Sequence, residues 1–196
     1  MPWSSSAYNR NSTSRSTKTP QLFDFISAAA RGDINTLKRI IQNNSSYPES
    51  VYVHGKDSNG QTALIQAATN GHVNCVEYLL EIGGEEATRD RTSTFNGETP
   101  LHRAAWNGHI DVVQLLLDAG ANVDSPTSRS GFTPVDYAYC SKQLSIVNLL
   151  LDNGGTPPND TKCMSLKGIK FGGNHTRKHK KRQTRKYKKR HTRKNN

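Results

Sequence analysis

A chain of 196 residues with only 33% hydrophobic residues holds at most one domain of ordinary size, and part of its length lacks the apolar material to fold. Residues 21–161 carry nine Lys/Arg against sixteen Asp/Glu, whereas residues 162–196 carry fifteen Lys/Arg and no acid, so the net charge of +11 describes neither a mildly acidic body nor its strongly basic tail. Three scattered cysteines exclude a disulfide scaffold or a zinc knuckle, no run of about 18 apolar residues suggests membrane insertion, and the N-terminus lacks a secretion signal's apolar core; the expectation is a reducing intracellular setting, cytoplasm or nucleus.

Residues 1–20 are rich in Ser, Thr and Asn with almost nothing to bury, and are predicted to be disordered. The first helix pair falls in 21–56. Phe25, Ala28, Ala29 and Ala30 precede an Arg31-Gly32-Asp33 stop, and Ile34, Leu37, Ile40 and Ile41 form a second apolar stripe. The connector from Asn44 to Lys56 is long, and Val51-Tyr52-Val53 within it has the composition of a strand.

Residues 57–93 repeat the arrangement as Gly60-x-Thr62-Ala63-Leu64, then Ala67-Ala68-Thr69-Asn70-Gly71-His72. Cys75 stands where the next copy has Val112, which fits a small buried side chain better than a reactive thiol. A second long connector is expected from Gly83 to Phe95. Residues 94–127 give the clearest copy. Thr99-Pro100 starts a helix with a capping hydroxyl and a proline that needs no N–H; Leu101, Ala104 and Ala105 share a face; Asn107-Gly108 stops it. Ile110, Val113, Leu116 and Leu117 then line the inner side of a second helix, which Gly120 ends. Residues 128–156 repeat the start as Gly131-x-Thr133-Pro134-Val135-Asp136, but Tyr139 replaces Ala105, and Lys142-Gln143 replace Gly108-His109. These changes fit a last unit with no successor, or a distorted helix turn. Residues 157–174 read as a linker.

The pattern G-x-T-P-L-H-x-A-A-x-x-G-H followed by V-V-x-L-L-L-x-x-G-A-N, with copies offset by 39, 37 and 34 residues, resembles the ankyrin family, whose repeats run ~33 residues, over about residues 21–156. The resemblance implies an all-α solenoid of helix-turn-helix repeats with projecting β-hairpin loops, here flanked by disordered termini. It implies that His72, His102 and His109 tie turns and adjacent repeats together by hydrogen bonds. The residues themselves agree, since none of the three lies at i, i+3 or i+4 from another ligand on one helix, and neither a metal nor any cofactor is expected. Without a nucleophile elbow or a phosphate loop, catalysis is not expected either.

The family docks protein partners on its concave side, through hairpin tips and the outward face of each first helix. Mapped here, that face holds Phe95, Asn96, Glu98, Arg103, Trp106, Asn107, Arg129 and Phe132, a set with the aromatic and arginine content of an interface hot spot. Trp106 is expected either to face a partner or to cover the neighbouring copy's helix.

The basic tail at 175–196 has an octad of its own: His175 to Arg182, Gln183 to Arg190, then His191 to Lys194. Eight residues of helix turn through about 800°, so charge spreads around the rod and no apolar face forms. Arg177, Lys178, Lys180, Lys181, Arg182, Arg185, Lys186, Lys188, Lys189 and Arg190 resemble a nuclear or nucleolar import signal read by an importin-type receptor, and also suit sequence-independent RNA or DNA binding. Lipid tethering ranks third, with only Phe171 and Tyr187 as apolar anchors. Two functions therefore stand: a non-enzymatic adaptor that binds an unidentified protein while the tail targets or tethers it, or a nucleic-acid-binding protein whose repeats serve packing or oligomerisation.

Overall fold

The computed structural model describes residues 21–44, 48–89 and 97–158. Among these residues the order is α1 (Leu22–Arg31), α2 (Ile34–Asn43), α3 (Glu49–Val53), α4 (Ala63–Asn70), α5 (Val73–Arg89), α6 (Pro100–Asn107), α7 (Ile110–Asp118), α8 (Pro134–Cys140) and α9 (Leu144–Asp152). Four helix pairs stack side by side. Helices α1, α4, α6 and α8 form one row, and α2, α5, α7 and α9 the other.

Local chemistry fixes where each pair begins. Thr62 Oγ1 accepts the Ile65 amide at 3.3 Å, and Thr133 Oγ1 accepts the Asp136 amide at 3.3 Å while Asp136 Oδ2 accepts the Thr133 amide at 3.0 Å. Each closes an otherwise orphan amide of the first turn. Asp33 does the same for α2, accepting from the Thr36 amide at 3.0 Å and the Thr36 hydroxyl at 2.6 Å. Those bonds hold the Asp33 carboxyl below its ordinary 3.8.

The alanines predicted on the first helices are buried between rows: Ala28 and Ala29, Ala67 and Ala68, Ala104 and Ala105, and Ala138. Without bulk on that face, neighbouring first helices approach closely, while the second row is filled by Ile40, Leu79, Leu116 and Leu150 and stands further apart. The row of first helices is therefore the more tightly packed of the two.

Adjacent pairs are locked at their turns. Gly32, Gly71 and Gly108 take φ of 77°, 75° and 85°, and a Cβ on them would lie 2.7, 2.5 and 2.8 Å from the side chains of His72, His109 and Gln143. Each of those side chains comes from the next pair. His72 Nε2 donates to Ala30 O at 3.0 Å and His109 Nε2 to Thr69 O at 3.1 Å, across 42 and 40 residues. The structural role inferred for these histidines is what the geometry displays. In the last pair, Lys142 occupies the turn position with φ 64°, so the turn keeps its left-handed form without glycine. An L side chain there costs about 1–2 kcal/mol.

Two expectations about the connectors fail, and for one reason. Val51–Val53 is not a strand but the end of α3, which Pro48 opens and Glu49 favours through its first-turn charge. The segment from Gly83 is not a loop, because α5 continues through it to Arg89. The two insertions pack on each other: a Cβ at Gly83 would sit 2.6 Å from Val53 Cγ1, Ala87 is buried beside it, and Tyr52 lies against the Phe25 ring at 5.4 Å. The remaining connectors project as hydrogen-bonded turns, with no strand assigned among the described residues: Gln61 O accepts from Asp57, and Phe132 O from Thr127.

Paired turn variants test the lock. Gly71→Ala forces a Cβ into the His109 ring and is expected to lower unfolding stability by ~2 kcal/mol or more, whereas Lys142→Gly is expected to raise it by ~1 kcal/mol. Urea denaturation of both reads the two signs. Because the Asp33 pKa is depressed, its contribution is complete above about pH 4 and is lost as pH falls below that value; comparing Asp33→Asn with the parent chain from pH 6 to pH 3 should show their stabilities converging.

Candidate protein-binding surface

The outward face of the first helices is shaped around one side chain. Tyr137 occupies in α8 the position that Arg103 holds in α6, and three aromatic rings meet it edge-on: His102 at 5.0 Å, Trp106 at 5.7 Å and Phe132 at 6.2 Å. Its hydroxyl donates to Glu98 Oε1 at 2.6 Å across 39 residues. Glu98 Oε2 in turn takes Arg103 Nη2 at 2.7 Å. A carboxylate at the tip of the third pair thus joins the first helices of two neighbouring pairs.

His102 supplies the second link. The Thr99 amide can only donate, so Nδ1 of His102, 3.1 Å away, is the acceptor, and Nε2 carries the proton it gives to Phe132 O at 3.0 Å. Ile65 stands at the matching place in α4 and Asp136 in α8, so neither of those pairs can make the link that His102 makes.

The predicted surface residues divide accordingly. Arg103, 29% exposed, Trp106, half-buried, and Asn107 and Arg129, both exposed, face outward on α6 and on the following connector. Asn107 is fastened by its amide to Arg103 O at 3.0 Å. Glu98 and Phe132 are instead buried, Phe132 at 4% exposure, because Tyr137 draws both inward. The sequence reading put them at the surface; they support it from beneath. Trp106 does cover the neighbouring helix, as one of the two expectations held, while retaining an exposed edge. Phe95, Asn96 and all the tail residues singled out above lie outside the described residues. Tyr137 itself was missed, although aligning α8 on α6 places it directly over Arg103.

Other chemistry is sparse. A polar recess of about 220 Å³ lies between Thr88, Arg89, Thr99, Asn122 and Ser125, smaller than the ~300–1,000 Å³ of small-molecule sites. No group of three His, Cys, Asp or Glu that could hold a metal, and no helix long and apolar enough to cross a membrane, occurs among the described residues. Cys75 is fully buried as expected; burial, and secondarily the Asp33 charge, pushes its thiol pKa up. Cys140 is buried as well, at 1% exposure.

A family model described as ankyrin repeats, in three copies, matches residues 25–127, more than half of the chain. The match covers the first three helix pairs and stops before α8, whose place rests on its packing against α6.

Replacing Tyr137 with Phe keeps all three ring contacts and removes only the hydroxyl bonded to Glu98. Stability is expected to fall by ~1–2 kcal/mol, the range for a lost hydrogen bond to a charged group. In a double-mutant cycle with Arg103→Ala the two losses should be non-additive by ~0.5 kcal/mol or more, read by chemical denaturation.

Proposed function

The chain belongs to the ankyrin-repeat family, a family of protein-interaction modules, and from that premise we propose that it is a non-enzymatic adaptor whose concave face grips a protein partner. The observation that carries this reading is the outward-facing Trp106 edge set beside Arg103, with both side chains held by Tyr137 and Glu98. An aromatic ring and a guanidinium already fixed in place lose little rotamer freedom on binding, the property that makes such pairs dominate interfaces. Asn107 and Arg129 extend the same patch, and Phe95 and Asn96 continue it in sequence. The folded unit spans 21–156, followed by a linker to about 174.

The tail supplies address or anchorage. Twelve Lys/Arg between Arg177 and Lys194 form the clusters an importin-type receptor reads, and the same charges would hold RNA or DNA. Contact with about eight phosphates implies a log–log salt slope near −7 on duplex DNA. A nucleic-acid-binding protein with the repeats as packing module is the competing reading, favoured by that charge density alone.

Affinity capture from cells with the full chain, the chain lacking 162–196, and the full chain after nuclease separates the two. Adaptor function predicts the same captured proteins from all three, with only cellular location altered by the deletion. Loss of every captured species on deletion or nuclease treatment would transfer the function to the tail. Against a captured partner, Trp106→Ala is expected to weaken binding by ~2 kcal/mol, about 30-fold, while costing ~1 kcal/mol of stability through its lost contact with Tyr137.

A further inference from the structure

Asn is followed by Gly at 59–60, 70–71, 96–97, 107–108 and 153–154. An asparagine before glycine is prone to lose its side-chain amide, because glycine carries no side chain to shield its own nitrogen from the neighbouring carboxamide. Asn96 lies outside the described residues. The other four pairs share one chemistry but sit in two different surroundings.

Asn70, Asn107 and Asn153 close helices. The side-chain amide of Asn70 donates to Gln66 O at 3.0 Å, that of Asn107 to Arg103 O at 3.0 Å and that of Asn153 to Leu149 O at 2.8 Å. The glycine N–H after each is engaged too, donating to the carbonyls of Ala67, Ala104 and Leu151. Attacked group and attacking atom are therefore both held. Asn59 is exposed at the tip of the turn between α3 and α4. Asp57 holds that turn by its backbone alone: Oδ1 accepts the Asn59 amide at 2.8 Å and the Gln61 amide at 2.9 Å, and the Asp57 carbonyl accepts the Gly60 amide at 2.9 Å. Among the described residues no hydrogen bond fastens the Asn59 carboxamide.

We propose that Asn59 is a modification site, deamidating in the folded chain while the helix-ending asparagines are protected. The Gly60 nitrogen forms a bond to Asn59 Cγ and gives up its proton; the Cγ–Nδ2 bond breaks, and Nδ2 leaves with that proton as ammonia. Water then opens the cyclic imide. Attack at Cγ restores the main chain and leaves an aspartate, whereas attack at the Asn59 backbone carbonyl carbon leaves the chain running through Cγ, an isoaspartate. No oxidant or reductant is needed. Either product puts a carboxylate beside that of Asp57 at a tip where one stood before, and the isoaspartate adds a methylene to the main chain inside the hydrogen-bonded turn.

The modification does not depend on the partner-docking reading. Its consequence does: the tip projects on the side assigned to the partner, so an added charge there should change the rate and salt dependence of association.

Ageing the full chain in mildly alkaline buffer, with fragment-ion mass spectrometry to place each exchange of NH2 for OH, compares the four sites within one molecule. In the folded chain Asn59 is expected to convert about tenfold faster than Asn70, Asn107 or Asn153, the factor for one further hydrogen bond that must open first. In concentrated urea the four rates should converge. Equal rates in the folded chain, a helix-ending asparagine ahead of Asn59, or an Asn59 as strongly protected by folding as the other three each overturns the proposal. Conversion at Asn59 that leaves association with a captured partner unchanged would keep the modification and remove this tip from the docking face.

Discussion

The fold rests on how closely one turn can lie against the next. Gly32 and Gly71 have no side chain, and the imidazole from the following pair occupies the space where one would be, its N–H satisfying a carbonyl two residues before the glycine. Three requirements coincide there: a left-handed backbone that terminates one helix, a van der Waals surface flat enough to receive a ring, and an acceptor left exposed by the helix end. Any side chain would break the second and disturb the third. Because each helix pair is too small to bury its own leucines, these nearest-neighbour contacts hold most of the stability, and the array stands or falls junction by junction.

The last junction shows how far the device tolerates change. Gln143 replaces the histidine yet still lies over Gly108, so the contact needs a planar polar group of about that length rather than imidazole itself. Lys142 keeps the left-handed turn at a cost in backbone strain. A lysine at Gly71 would in addition have to displace the His109 ring, and among the described residues no helix pair follows α9. The opening pair is reinforced differently. Its long connector and the extension of α5 bury Tyr52, Val53 and Ala87 together, giving the first junction a further apolar contact.

What could be read from the chain alone follows the same division. Helix starts at Thr-Pro, stops at Gly and the alanine faces are set by local chemistry, so Thr99, Gly108, Ala104 and Ala105 announced themselves. Val51-Tyr52-Val53 misled because β-branched and aromatic residues suit a strand only where a partner strand exists, and here the surface on offer was the flank of α5. The extension of α5 was hidden by Gly83 and Gly84, which ordinarily end a helix; Gly83 is instead where Val53 makes close approach. At the surface, Arg103, Trp106, Asn107 and Arg129 were legible from repeat alignment. The inward turn of Glu98 and Phe132 was not, since it depends on one tyrosine whose position in the pattern is normally given to solvent.

That tyrosine also bears on recognition. An isolated arginine on a helix samples many rotamers, and ordering it on contact would consume part of the binding energy. Here Glu98 holds Arg103 at 2.7 Å, and Tyr137 holds Glu98 at 2.6 Å, so the order is established by folding. The same pairing half-neutralises the guanidinium, which lowers its value toward a simple acidic partner and raises the weight of its planar face and of the Trp106 ring beside it. A surface built this way discriminates by shape and by aromatic contact more than by charge. The tail differs in composition: residues 177–194 carry twelve Lys/Arg and no acid, and contacts made by exposed charge weaken with salt far more than contacts made by buried aromatic surface do.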